Sequence, residues 1–179
     1  MKSETINERA RRAAIKSGVA FSGKPGEKHI YSDEWHTPPH IIDALGPFDL
    51  DPCAGPMKFA KHNIGADQDG LTSIWEGRVW LNPPLSQLED WLAKFIGHGN
   101  GVALVPSRTE TQWFQRLVSR ATSVLFLLGR IRFESPAADR LAKRSSPVGS
   151  VLVSIGQQNE NCLRESRLPG IMMKWWLVQ

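Results

Sequence analysis

The chain has 179 residues, of which 41% are hydrophobic, and its formal net charge is +4. This composition predicts a single domain with a hydrophobic core, and the small basic excess favours a nucleic-acid partner. No apolar segment has the length of a membrane span, and the first residues lack the apolar core of a signal peptide. Both observations argue against a membrane-bound or secreted protein, so we expect a soluble protein in the cytoplasm.

The chain contains two cysteines, Cys53 and Cys162. Their positions match neither a metal-ligand spacing nor a disulfide framework. We therefore expect two free thiols in a reducing compartment and predict no metal site.

Residues 1–30 are polar, and residues 8–16 have the composition of a short basic helix that Gly18 and Pro25 would end. A solvated tail explains this composition better than a specific DNA-binding arm. We predict a flexible basic arm over residues 1–30, followed by a single domain over residues 31–179.

The first element of the domain is a helix. Apolar residues at helical spacing (Ile41, Ile42, Leu45) follow Thr37-Pro38-Pro39 and stop at Gly46. Thr37 with Pro38 at the first helical position would make a good N-terminal cap.

The second element is a strand over residues 48–51 that ends in a turn of small residues, Pro52 to Gly55. Such a turn allows a ligand to approach the backbone closely, and the carboxylate of Asp51 lies where it can meet a cationic or hydroxyl group. The alternative is structural, with Asp51 capping a helix that begins at Pro52 or Cys53.

The third element is an apolar strand over residues 78–82 that ends at Asn82-Pro83-Pro84. Because prolines have no N–H, this stiff loop offers carbonyl oxygens without competing backbone donors. The side-chain oxygen of Asn82 and the carbonyl of Pro83 can accept both hydrogens of an exocyclic amine, which makes its nitrogen nucleophilic. Positioning of this kind suits methyl transfer to an amino nitrogen, although Asn-Pro-Pro alone is also compatible with a simple loop.

Strand and helix patterns alternate through the rest of the domain, which indicates an α/β fold with a mostly parallel sheet and helices on both faces. The predicted elements are a helix near 87–97, strand 101–105, a helix near 110–121, strand 123–128 and strand 148–155. Asp51 and Asn82 lie only 31 residues apart, which leaves room for a short helix and one short strand near 62–65. We therefore predict a sheet that has lost strand–helix units on this side.

Together these segments resemble, in their order along the chain, the motifs of S-adenosylmethionine-dependent amino-methyltransferases of the gamma class. The chain is most similar to the small phage and prophage DNA N6-adenine methyltransferases of the Dam type, over residues 33 to about 155. The matching segments are residues 33–38, 48–55, 69–71, 75–84, 103–109 and 129–133.

The resemblance implies a trimmed Rossmann-like methyltransferase fold. It also implies site-specific methylation of adenine N6 in the DNA of a bacterial host cell, with S-adenosyl-L-methionine as the cofactor. It assigns the catalytic role to Asn82, Pro83, Pro84 and Leu85. It assigns cofactor binding to Trp35, Thr37, Asp51, Pro52, Cys53, Ala54, Gly55, Asp69 and Asn82, with Asp69 matching the family motif better than Asp67.

The chain departs from the family at Leu85, where relatives usually carry an aromatic residue that stacks on the flipped target base. Leucine lacks a π-face, and base–aromatic stacking is worth roughly 1–3 kcal/mol. We therefore expect weaker capture of the base, with Phe133 and Trp113 as replacement stacking residues. Val148 stands at another position that is often aromatic in relatives.

The implied partner is DNA with its target adenine flipped out of the helix. Residues 134–147 are polar and basic, and we expect them to form a loop on the rim of the sheet that follows phosphates. The predicted DNA-binding residues are Arg108, Arg130, Arg132, Arg140, Lys143 and Arg144.

Two alternatives remain open on the sequence. One is methylation of an RNA base or of a protein glutamine amide, since related enzymes share Asn-Pro-Pro. The other, suggested only by Leu85, is a catalytically weakened module that binds cofactor or DNA without turnover. The amino-acid sequence does not determine the DNA recognition sequence, the preference for single- or double-stranded DNA, or the choice between monomer and homodimer.

Overall fold

The computed structural model describes residues 37–65, 67–132, 146 and 148–174. The predicted basic arm, Trp35, Phe133 and nearly all of the predicted rim loop, including Arg140, Lys143 and Arg144, lie outside these residues. Within them, the helices are α1 (Pro39–Leu45), α2 (Leu88–His98), α3 (Gln112–Val118) and α4 (Gln157–Glu165). The strands are β1 (Leu50–Asp51), β2 (His62–Asn63), β3 (Val79–Leu81), β4 (Gly101–Pro106), β5 (Ser123–Leu127), β6 (Ser150–Ile155) and β7 (Gly170–Lys174).

All seven strands form one sheet in the order β2-β1-β3-β4-β6-β5-β7. Strands β2, β1, β3 and β4 pair in parallel, whereas β6 pairs antiparallel with both β4 and β5. Strand β7 is antiparallel to β5. Strands β1 to β5 therefore all point the same way, which confirms the predicted mostly parallel sheet.

Helices cover both faces of the sheet, as predicted. Successive residues of a strand point to opposite faces. In β3, Val79 and Leu81 pack in one buried cluster with the apolar residues of α2 and α3. Trp80, between them, packs in the other cluster with α1 and with Leu163 of α4.

The sheet is short on the β2 side. In the described part of the segment between β1 and β3 the only strand is β2, which pairs with β1 at the edge of the sheet. The predicted short helix is absent from the described residues between 52 and 78. In its place the carbonyl of Asp69 closes a single turn with the N–H groups of Thr72 and Ser73, at 3.2 and 3.3 Å. The structure thus confirms a trimmed Rossmann-like methyltransferase fold.

The boundaries of α1, α2, α3 and β3 to β6 agree with the predicted elements to within a few residues. Helix α4 and strand β7 were not predicted. Helix α4 has no apolar stripe, because Leu163 is its one buried apolar side chain and the polar Asn159 and Glu160 are also buried. Its stability comes from tertiary contacts, which periodicity does not reveal. In the described residues no helix has the length and apolar character needed to cross a membrane.

Candidate active site

The candidate site lies where β1, β3 and β4 end. These neighbouring strands run in parallel, so the turns that follow them share one edge of the sheet, here called the carboxyl edge. Asp51 is the last residue of β1, and Asn82 directly follows β3. Open parallel sheets bind their ligands at this edge.

Thr37 reaches this edge from the start of α1. The helix begins at Pro39, Pro38 is the capping residue, and no side chain caps its N–H groups. The predicted capping role of Thr37 is therefore wrong, because the second proline moves the helix start one residue along the chain. Instead, the buried Thr37 places its hydroxyl oxygen 3.4 Å from Nδ2 of Asn82, which makes a long, weak hydrogen bond.

Asp51 is buried, with 5% of its surface exposed. Its Oδ1 accepts the backbone N–H of Cys53 at 3.2 Å and so closes a turn, and no helix begins at Pro52 or Cys53 as the structural alternative required. No lysine or arginine of the described residues pairs with it. Burial raises the pKa of Asp51 to about 7. This carboxylate suits a ligand that brings its own positive charge.

Cys53 connects the turn after β1 to the turn after β3 by a hydrogen bond. Its thiol donates to the backbone carbonyl of Asn82 across 3.2 Å, although the residues lie 29 positions apart. Burial, with the negative charge of Asp51 as the next cause, raises the pKa of the Cys53 thiol well above its usual range. The group therefore stays protonated and able to donate.

The loop before β3 packs over the turn that follows Asp51. A Cβ atom at Gly70 would lie 1.9 Å from the carbonyl oxygen of Pro52, so only glycine fits this contact. The indole N–H of Trp75 donates to the carbonyl of Gly70 at 2.8 Å and holds the loop in place. Asp69 next to it is exposed, has a left-handed backbone (φ 44°), and accepts the N–H of Leu71 at 3.1 Å.

The remaining residues of the two turns lie between core and solvent. Pro52, Ala54 and Pro83 are buried, whereas Gly55, Pro84 and Leu85 are half-buried. Leu85 opens a 3-10 turn and packs against the core cluster that includes α2 and α3. Trp113 is itself a member of that cluster and is 5% exposed, so its ring faces the core. This burial argues against Trp113 as the replacement stacking residue.

The structure describes three of the predicted DNA-binding residues, and they form two groups. Arg108, after β4, is largely buried and forms an ion pair of 3.4 Å with Glu110, while its Nε is buried without a partner. Arg130 and Arg132, after β5, are exposed. They line a groove of about 440 Å³, here called the arginine groove, together with Pro38, His40, Leu127 and Leu128.

The arginine groove begins beside the candidate site, because Pro38 directly follows Thr37. Strand β5 is parallel to β4, so the residues after its end also lie at the carboxyl edge. Leu128 in this groove is 79% exposed. Among the described residues, no group of three or more His, Cys, Asp or Glu side chains has the arrangement of a metal site.

The family model for Dam, DNA N-6-adenine-methyltransferase, matches residues 26–165. The chain belongs to the Dam family. A search of curated proteins gives no match to the chain. Family membership confirms the predicted resemblance and makes the protein a DNA adenine-N6 methyltransferase by class. The matched range contains Thr37, Asp51, Asn82 and the two arginines of the arginine groove, whereas Leu168 and Pro169, which also line that groove, lie beyond it.

Two features of this Dam-family site were not predicted from the sequence. The contact of Cys53 with the Asn82 loop joins turns that are distant in the chain, so no local pattern reports it. The contact of Gly70 with Pro52 could have been predicted from Gly70 itself, because an isolated glycine often marks a place where two backbone segments approach closely.

Proposed function

We propose that the protein transfers a methyl group from S-adenosylmethionine to the N6 amino group of adenine at specific sites in DNA, and that a phage or prophage encodes it. The observation that supports this most strongly is the meeting of three distant segments at the carboxyl edge. Thr37, Asp51 with Cys53, and Asn82 are linked there by hydrogen bonds, in a chain of the Dam family.

Asn82 and Pro83 receive the adenine amine in this proposal. Nδ2 of Asn82 points towards Thr37, so Oδ1 is the atom of that side chain that accepts from the amine. The carbonyl of Pro83 accepts the second hydrogen. Two acceptors in fixed positions draw the nitrogen lone pair out of conjugation, which raises its nucleophilicity without any covalent intermediate on the protein.

Asp51 and Thr37 bind the methyl donor. When bound, S-adenosylmethionine supplies an electrophilic methyl group on a sulfonium and carries a free amino acid end. The buried carboxylate of Asp51 fits its ammonium group, since the charge that burial leaves uncompensated is then paired. The hydroxyl of Thr37 can donate to its carboxylate. To the exposed Asp69 we assign the ribose hydroxyls or the adenine amino group of the cofactor.

The arginine groove binds DNA beside the site. The guanidinium groups of Arg130 and Arg132 are exposed to solvent, as phosphate contacts require. Leu128 adds an apolar surface against which a displaced base or sugar can pack. Arg140, Lys143 and Arg144 remain predicted contacts of the same surface.

Asn82→Ala tests the proposal. Purified wild type and variant are incubated with methyl-labelled cofactor and DNA, RNA or total protein. Wild type should label DNA at adenine N6, and the variant should lose this activity while its cofactor affinity by calorimetry stays within a few-fold. Asn161→Ala, on the surface of α4, is the matched control and should keep full activity. Label transfer to RNA or protein alone, or equal turnover in Asn82→Ala, would disprove the assignment.

A further inference from the structure

The loop after β3 has few polar anchors. The peptide bonds that precede Pro83 and Pro84 carry no N–H, so the carbonyl oxygens are the only backbone groups there that can form hydrogen bonds. The carbonyl of Pro83 is needed by the substrate amine in the proposed function. The carbonyl of Asn82 is a backbone atom by which the protein itself can hold this loop.

The thiol of Cys53 holds that atom. The Sγ–O distance of 3.2 Å is short for a donor as large as sulfur, and the thiol stays protonated because its pKa is raised. The N–H of Cys53 is in turn bound by Asp51 at 3.2 Å, which orients the cysteine. Two successive contacts thus connect the carboxylate of β1 to the loop of β3.

We propose that Cys53 is a positioning residue for methyl transfer. Its thiol fixes the Asn82–Pro83 peptide, so the Asn82 side chain and the Pro83 carbonyl face the substrate amine in one geometry. This inference rests on the proposed function and adds a role to Cys53 beyond contact with the cofactor. A displacement of about 1 Å at a reacting group costs on the order of 100-fold in rate, so loss of this anchor acts on kcat.

Two substitutions separate the donor from the volume of the side chain. Cys53→Ala removes the donor and should lower kcat by about 10- to 100-fold, with the affinity for S-adenosylmethionine by calorimetry within a few-fold of wild type. Cys53→Ser keeps a donor and should recover most of the lost kcat. Cys162→Ser, at the other free cysteine, is the control and should leave kcat and KM unchanged.

Infrared spectroscopy gives a readout that needs no turnover. In Cys162→Ser the one remaining S–H group belongs to Cys53, and its stretching band should lie at lower frequency in the folded protein than in urea. The carboxylate of Asp51 is a second acceptor within reach of the thiol, so the band is also recorded after Asp51→Asn is added. A band at the same frequency in the folded protein and in urea, or a band that moves on Asp51→Asn, would overturn the thiol–Asn82 bond and with it the inference.

The activity measurements distinguish the other outcomes that would contradict the positioning role of Cys53 or the proposed function. An unchanged kcat in Cys53→Ala, or equal losses in Cys53→Ala and Cys53→Ser, would overturn the positioning role. A loss confined to cofactor affinity would show that Cys53 acts only on the cofactor. A wild type that is inactive on DNA but shows the shifted band would disprove the proposed function, and the positioning role that rests on it, while leaving the contact intact.

Discussion

Asp51 combines a structural contact with an electrostatic cost. Its Oδ1 closes a turn with Cys53, yet burial disfavours its charged form and raises its pKa from 3.8 to about 7. A side chain kept only for the turn would be replaced by asparagine without loss, because an amide oxygen accepts the same N–H. The ionisable group is useful when a cation arrives, and this is what the proposed function requires.

Asp51→Asn should therefore stabilise the ligand-free protein at alkaline pH. Between pH 3.8 and 7 the folded carboxyl keeps a proton that the unfolded one releases, so wild-type stability falls as pH rises through this range. The loss is on the order of 4 kcal/mol at most. Urea unfolding at pH 8 should show the variant to be more stable than wild type, with the difference shrinking towards pH 4.

The same Asp51→Asn variant should bind S-adenosylmethionine more weakly by about 1–3 kcal/mol, the scale of a charge-assisted hydrogen bond. In wild type the affinity should fall as pH drops below about 7, since the carboxyl must release its proton to pair with the ammonium. Calorimetry across this range measures both effects. A variant that is less stable at pH 8 and binds the cofactor normally would show that Asp51 is only a turn residue.

Leu85 is the second residue whose chemistry bears on the proposed function. Extraction of a base from a duplex costs a few kcal/mol, which stacking in the pocket normally offsets. Leu85 is half-buried and packs on the core. In the proposed function it would offer the base an apolar contact without a π-face. Its departure from the family pattern therefore bears on base capture and leaves the acceptors at Asn82 and Pro83 unchanged.

We expect wild type to methylate a mismatched or unpaired adenine better than a paired one. Leu85→Tyr should narrow this gap. The measurement is kcat/KM on matched oligonucleotides that differ only in the pairing of the target adenine. If wild type shows no preference and Leu85→Tyr lowers activity on all three substrates, another residue stacks on the base. Phe133 is then the first candidate, since Trp113 is buried in the core.

At the scale of elements, the segment after β5 shapes the surface that we propose binds DNA. Gly129 has a positive φ of 78° and turns the chain after Leu128, so Arg130 and Arg132 face solvent beside α1. The turn, the start of α1 and the segment just before β7 (Leu168 and Pro169) together form the arginine groove.

Arg130→Ala with Arg132→Ala should weaken DNA binding at every sequence and lower its salt dependence. Each lost phosphate contact reduces the slope of log K against log salt by about 0.9 for duplex DNA, so the pair should remove nearly 2. Fluorescence anisotropy at several salt concentrations gives the slope. Arg116→Ala with Arg120→Ala, which makes the same charge change on and just after α3, is the control. An unchanged slope in the first pair would place the DNA elsewhere.

On the scale of the whole molecule, the two ends of the parallel strands have different tasks. At the end where β3 and β4 begin, the buried Arg78 donates to Asn159 at 2.6 Å and to the carbonyls of Leu45 and Pro47 at 2.6 and 2.8 Å. These bonds join the start of β3 to α4 and to the end of α1. Nη2 of Arg78 is nevertheless buried without a partner, as is Nε of Arg108 at the carboxyl edge. What distinguishes the carboxyl edge is Asp51, a buried carboxylate whose pKa burial raises to about 7.

The sequence alone determined the local chemistry of this protein. The apolar strands, the helix stripe before Gly46 and the polar residue that ends each strand follow from periodicity and from the backbone limits of proline and glycine. These properties act over a few neighbouring residues. For that reason Asp51 and Asn82 could be placed at strand ends, and the short spacing between them predicted the trimmed sheet.

Only the tertiary structure decided which of these residues meet and how. The reversal of β6 and β7, the existence of α4 and the placement of Trp113 in the core depend on pairings between distant segments. The contact of Cys53 with Asn82 spans 29 residues and exists because β1 and β3 pair in parallel. Contacts of this kind follow from the geometry of the whole sheet, which no short stretch of sequence encodes.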